Sequence, residues 1–122
     1  LIEPLQEAGF KLKKLDSLTG LAEYRNGGLF IDTKTIFLKD KTQFEAVHDP
    51  KGPLIVEWRA LTVALLDKLA EQIRYRTNTD SESMPLASIL QGGTWSAGRQ
   101  IAQQLRANGG PPLRLNSRGT IF

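Results

Sequence analysis

Residues 54–76, LIVEWRALTVALLDKLAEQIRYR, decide the fold of this 122-residue chain. They run without Gly or Pro, are rich in Leu and Ala, and follow Pro53, whose missing N–H costs nothing at a helix start. Arg74 and Arg76 close the stretch, where positive charge suits a helix C-terminus. At 3.6 residues per turn, Glu57, Asp67, Lys68, Glu71, Gln72 and Tyr75 share one side. Ile55, Trp58, Val63, Leu65, Leu66, Leu69, Ala70 and Ile73 spread across the other. Ala60 and Ala64 thin the polar side in the first half, which predicts a helix buried on most faces there and emerging into water later. Glu57, Arg59 and Asp67 interrupt the apolar run, so it is no membrane span. Arg59 and Thr62 fall on the apolar side. A guanidinium there needs a partner, as an internal strut or as a contact to a ligand.

Working outward, the chain reads as a mainly helical domain with short extended segments. Upstream, Pro4–Phe10 has the pattern of a short helix, and KLKKL (11–15) alternates as a strand or extended link. SLTGLAEYRN (17–26) has helical spacing, with Gly27–Gly28 as its stop. LFIDTKTIFLKD (29–40) is β-branched and aromatic. It predicts two extended pieces, Leu29–Asp32 and Thr35–Lys39, as a hairpin-like feature or an irregular packed loop. Phe44 and Val47 are expected to pin a short helical turn to the core, and DPKGP (49–53) turns the chain into the central helix.

Downstream, NTDSES (78–83) is a surface loop. A helix begins at Met84-Pro85-Leu86, and QGGTW (91–95) interrupts it. SAGRQIAQQLRANGG (96–110) is amphipathic, with Ile101, Ala102 and Leu105 inward, Arg99, Gln103 and Arg106 outward, and Gly109–Gly110 at its end. The tail PPLRLNSRGTIF reads as extended, with Leu113, Leu115 and Ile121–Phe122 alternating against polar residues.

Composition excludes several classes. One domain at most fits in 122 residues, and 40% hydrophobic with 24% charged is ordinary for a globular chain. The chain has no cysteine and one histidine, which removes disulfides and makes a thiolate or imidazole metal site untenable. The net charge of +3 is scattered, with small clusters at Lys11–Lys14 and Arg74–Arg76 and no interleaved aromatics, so nucleic-acid binding is disfavoured. Absence of cysteine is compatible with a cytoplasmic protein. The opening LIEPLQEAGF has no Met and reads as an element already under way, which predicts a segment of a longer protein.

Two stretches offer chemistry. Glu23-Tyr24-Arg25 stands before a glycine pair, with Asp32 a short step beyond. These residues line a pocket or decorate a solvated helix end. Gly92-Gly93-Thr94-Trp95 opens a helix and is either an anion contact or a tight turn with Trp95 as anchor. It lacks the spacing of a phosphate-loop or dinucleotide fingerprint. His48, in a charged turn beside Asp49, supports no Ser-His-Asp arrangement.

The blocks LKKLDSLTGLAEYRNGGLFID, VEWRALTVALLDKLAEQIR, LQGGTWSAGRQIA and GGPP…GTIF resemble, in order and over essentially the whole chain, the C-terminal third of a family first described as a domain of unknown function. That family is associated with the ribosyl-urea route of uracil catabolism. One departure is Arg118, where the family pattern has an acidic residue.

A more distant likeness is to queuosine-salvage N-glycoside hydrolases, helical proteins similar to helix-hairpin-helix DNA glycosylases. Their D-Y-R and E-I-R-A blocks match Glu23-Tyr24-Arg25 and Glu57-Trp58-Arg59-Ala60 here. The resemblance implies an N-ribosyl hydrolase without cofactor or metal, acting on a uracil-derived nucleoside or nucleotide. It implies Glu23 as the catalytic carboxylate, Tyr24, Arg25, Asp32 and Trp95 as substrate contacts, and Glu57 and Arg59 as structural support. Leaving-group contacts would come from an N-terminal part packing against this one. The alternative is a non-catalytic nucleotide- or partner-binding module of the same pathway.

Overall fold

The structure is a computed structural model that describes residues 8–9 and 23–116, with Tyr24 by its backbone alone. Most of the expected helix Pro4–Phe10, the expected link 11–15, the first part (17–22) of the expected helix 17–26 and the residues after Asn116 lie outside them. Four α-helices carry the described residues: α1 (Tyr24–Asp32), α2 (Pro53–Thr77), α3 (Leu86–Ile89) and α4 (Trp95–Leu105). Two-residue strands β1 (Val47–His48) and β2 (Arg114–Leu115) pair in parallel, Val47 against Arg114 and His48 against Leu115. The mainly helical class expected from the sequence is the observed one. No helix among the described residues is long and apolar enough to cross a membrane.

The central helix forms where its periodicity places it. Pro53 takes the first turn, and Asn78 ends the helix in the left-handed region with φ 53°, its N–H returning to the Arg74 and Tyr75 carbonyls. The buried stripe is narrower than expected, being Ile55, Trp58, Thr62, Leu66 and Ala70. Val56 and Leu61 are exposed in the half predicted to be covered on most faces. Thr62 is fully buried and donates its hydroxyl to the Trp58 carbonyl at 2.7 Å, which satisfies it within the helix. Arg59, expected on the buried side, is exposed. A long aliphatic stem carries a guanidinium to water from such a position.

The largest departure is in 24–40. Gly27–Gly28 does not stop a helix but lies inside α1, which continues through Leu29–Asp32, a stretch expected to be extended. Tertiary packing overrides propensity here. The Trp58 indole donates to the Gly27 carbonyl at 3.0 Å, and a side chain at Gly28 would press on the Pro112 ring at 3.2 Å. The helix ends at Thr33 and at Lys34, which takes the left-handed φ of 62°. Residues 33–40 then form an irregular loop whose Ile36 and Leu38 pack on the core. A 3-10 turn comes next at Lys41–Phe44, but Phe44 and Val47 are exposed rather than pinned inward.

The core gathers Ile31 of α1, Ile55 and Trp58 of α2, and Leu113 of the tail, with Leu54 and Leu115 at its edge. Over Leu113–Leu115 the alternation read in the tail is the observed one: Leu113 is buried, Arg114 exposed and Leu115 half-buried, while Ile121–Phe122 lie outside the described residues. Between α3 and α4 the backbone does not break at Gly92–Gly93. It passes through a single π-helical stretch, Leu90–Thr94, that adds a residue to the turn and re-aims α4. α4 stops at Leu105, short of the glycines, and Leu105 is exposed rather than inward.

The tightest contact in the fold is between α1 and α4. Gly98 is buried, and a Cβ there would fall inside the van der Waals envelope of the Arg25 carbonyl. Beside it the Thr94 hydroxyl donates to Asn26 Oδ1 at 2.8 Å, both groups being buried.

Gly98→Ala is expected to destabilise by about 1–3 kcal/mol through forced separation of the two helices, although alanine is the better helix former. Denaturant unfolding checks this, and an unchanged or raised midpoint contradicts the close-approach argument. Trp58→Phe removes the buried donor and leaves a void, with an expected loss of about 1–3 kcal/mol in the same assay.

Candidate functional site

The N-terminus of α1 assembles three of the residues singled out in the sequence. Glu23 sits just ahead of the helix in extended backbone, and its side chain accepts from the Arg25 and Asn26 backbone N–H groups. This capping role is usually taken by Asp, Asn, Ser or Thr, whose shorter side chains reach the same amides. Its second oxygen accepts from Arg25 Nη1 at 3.2 Å. The Arg25 guanidinium in turn lies over the Trp95 ring, 4.7 Å from its centroid. Trp95 is there because the π-helical stretch ends on it, while Thr94 and Gly98 dock α4 on α1. Carboxylate, guanidinium and indole thus form one partly exposed corner. Tyr24 takes the first helical position beside it.

Asp32 does not join that corner. It ends the nine-residue α1, about 13 Å along the helix axis from Glu23. Both of its oxygens accept from Arg106, at 2.8 and 2.6 Å, and its side chain is nearly buried. Arg106 also donates from Nε to the Gly110 carbonyl at 2.6 Å, so it fastens the chain after α4 to the end of α1. Arg106 was expected to point outward into water. The pair is invisible to helical periodicity because α4 has already ended at Leu105.

Arg25 and Asp32 do border one depression, with Gly28, Gly98, Arg99 and Arg106, but its volume is only about 20 Å³. That holds a water and not a riboside. A second and much larger groove of about 510 Å³ shares no lining residue with it. Glu57, expected as structural support, borders this groove together with Trp58, Phe37, Leu61, His48 and Asp49. Arg59 is exposed on the neighbouring turn of α2. No group of three or more His, Cys, Asp or Glu residues is placed to hold a metal among the described residues.

Electrostatically the two regions differ. The corner and the small depression carry Arg25, Arg99 and Arg106 against Glu23 and Asp32. The groove carries Asp40, Asp49 and Glu57 against Lys39. The Thr42 hydroxyl and backbone N–H hold the Asp40 carboxyl below the usual range for aspartate.

The site residues that sequence reasoning missed are Asn26, Gly98 and Arg106. Gly98 did leave a signal, since a glycine inside an otherwise amphipathic helix usually marks a close approach. Asn26 and Arg106 left none, because their partners are 68 and 74 residues away in sequence.

Comparison with known proteins places this arrangement in context. The chain is 45% identical to Protein urg3 of Schizosaccharomyces pombe, across 86% of this chain and 27% of that protein. It is 36% identical to Uracil catabolism protein 4 of Lachancea kluyveri, across all of this chain and 31% of that protein. It therefore spans under a third of the length of these relatives. No solved structure matches it. The family described as "Protein of unknown function (DUF1688)" matches over residues 1–122, and the chain belongs to that family.

Proposed function

We propose that this chain is part of an N-ribosyl hydrolase that acts on a uracil-derived riboside of the ribosyl-urea type. The names of its relatives support a role in uracil catabolism. The observation that carries the finer reading is the corner at α1, where Glu23, Arg25 and Trp95 are linked contact by contact. Cleavage of an N–C1′ bond develops positive charge on the ribose, and a fixed carboxylate beside that carbon lowers the barrier. Glu23 is fixed in this sense, since two backbone amides and a guanidinium hold it.

Its hydrogen bonds suit an electrostatic role better than proton donation. Arg25, steadied by the indole, contacts a ribose hydroxyl or a phosphate, Trp95 flanks the sugar, and Tyr24 is a further substrate contact. Asp32 contributes through Arg106, which it positions at the border of the small depression. Arg59 braces the same region from α2. The larger part of the longer relatives packs against this segment and supplies the contacts to the leaving nitrogen. On this reading the reaction is cytoplasmic and needs no cofactor.

A second reading has its own observation. Glu23 and Asp32 are both already engaged by arginine, and the depression beside them is water-sized. On that reading the segment is a non-catalytic module that binds a nucleotide or a partner of the pathway.

Release of urea and ribose from ribosyl-urea and from its 5′-phosphate separates the two, measured with the full-length protein beside its Glu23→Gln variant. A loss of about 10²-fold or more in the variant, with an unchanged melting temperature, is expected for a catalytic carboxylate. Full activity in the variant assigns Glu23 to helix capping alone, and no release by the parent supports the module.

A further inference from the structure

We propose that the 510 Å³ groove is a second ligand site, built for an uncharged pyrimidine base or nucleoside and closed to the corresponding nucleotide. The proposal rests on the role in uracil catabolism for the kind of ring, and not on the hydrolase reading. The groove is of the size that small-molecule sites have, about 300–1,000 Å³. Its floor is the protein core itself: Ile31, Ile55 and Trp58 reach it from α1 and α2 and are nearly inaccessible to solvent. One wall carries Phe37, which is 76% exposed, and Leu61, which is 41% exposed. A phenylalanine ring so open beside an apolar hollow offers a stacking surface for a flat ring.

Beside Lys39 and Gln43, most of the polar side chains at the rim are acceptors. Glu57 makes no hydrogen bond or ion pair among the described residues. Asp49 gives one oxygen to the Lys51 backbone N–H at 2.9 Å and keeps the other. His48 donates from Nε2 to the Gln43 carbonyl at 2.7 Å, since a carbonyl only accepts, and this leaves Nδ1 as an acceptor in the neutral ring. Such a rim pairs with N–H groups of an imide or ureide and with the hydroxyls of a ribose.

Charge then selects among uracil derivatives. Three carboxylates stand against one lysine, a net −2 with His48 neutral, in a chain whose overall charge is +3. A phosphate dianion brought to that rim is repelled, while a base or nucleoside meets no such repulsion.

Calorimetric titration of the protein with uracil, uridine and uridine 5′-monophosphate at about 0.15 M salt tests this. Saturable binding of uracil or uridine is expected, with the monophosphate weaker by about tenfold or more. Glu57→Lys is expected to weaken uridine and to narrow or reverse the gap to the monophosphate. Phe37→Ser, at a position too exposed to unfold the chain, is expected to weaken all ligands by about tenfold through the lost stacking face. Failure of uracil and uridine to saturate overturns the proposal, as does equal affinity for the monophosphate or indifference to Glu57→Lys. A dimer in solution that Phe37→Ser or Leu61→Arg dissociates also overturns it, and makes the groove an interface between copies. Because these readouts are binding and mass, they stand or fall apart from any release of ribose.

Discussion

The contact on which the rest of the molecule depends is the approach of α4 to α1 at Gly98, where only a hydrogen stands against the Arg25 carbonyl. At that separation the register of the two helices is fixed, and three polar contacts result from it. Thr94 meets Asn26, Arg25 meets the Trp95 ring, and beyond the end of α4 Arg106 meets Asp32. Each needs the backbones close. A buried Asn or Asp left without its partner would be costly, so these contacts also oppose any sliding of one helix along the other.

The central helix α2 enters this arrangement through one residue. Trp58 lies in the core with Ile31, Ile55 and Leu113, and its indole N–H reaches the Gly27 carbonyl of α1. The same side chain thus supplies apolar area and a directional bond, which is why α1 can carry two glycines and remain helical. Leu113, fully buried on the tail, and the β1–β2 pair then bring residues after α4 back against the loop before α2.

This packing divides the surface into two regions of opposite chemistry. Around α1 and α4 the guanidiniums of Arg25, Arg99 and Arg106 outnumber the carboxylates, and the depression between them is water-sized. Beside the start of α2 a wide apolar groove carries carboxylates at its edge. Glu57 and Glu23, which resemblance to N-glycoside hydrolases brings to attention together, belong to different regions in the folded protein. Glu23 is held by arginine and backbone amides, whereas Glu57 faces an open hollow.

The sequence by itself determined the central helix, from Pro53 to the arginines of its last turn, because a long uninterrupted period of 3.6 with a capped end has no competing solution. It also determined the mainly helical class, the buried side of Trp58 and Leu66, the alternation of the tail over Leu113–Leu115, and the family to which the chain belongs. What only the tertiary structure decided lies where local propensity and packing disagree. Gly27 and Gly28 read as a stop, yet they are helical: the Trp58 indole bonds the Gly27 carbonyl, and the Pro112 ring packs where a side chain at Gly28 would have been. Leu29–Asp32 reads as a strand, yet it completes α1 because Ile31 faces the core. Asp32 and Glu23 read as one cluster, yet more than two turns of helix separate them. Asp32 found its partner in Arg106, a long-range choice that no local spacing encodes.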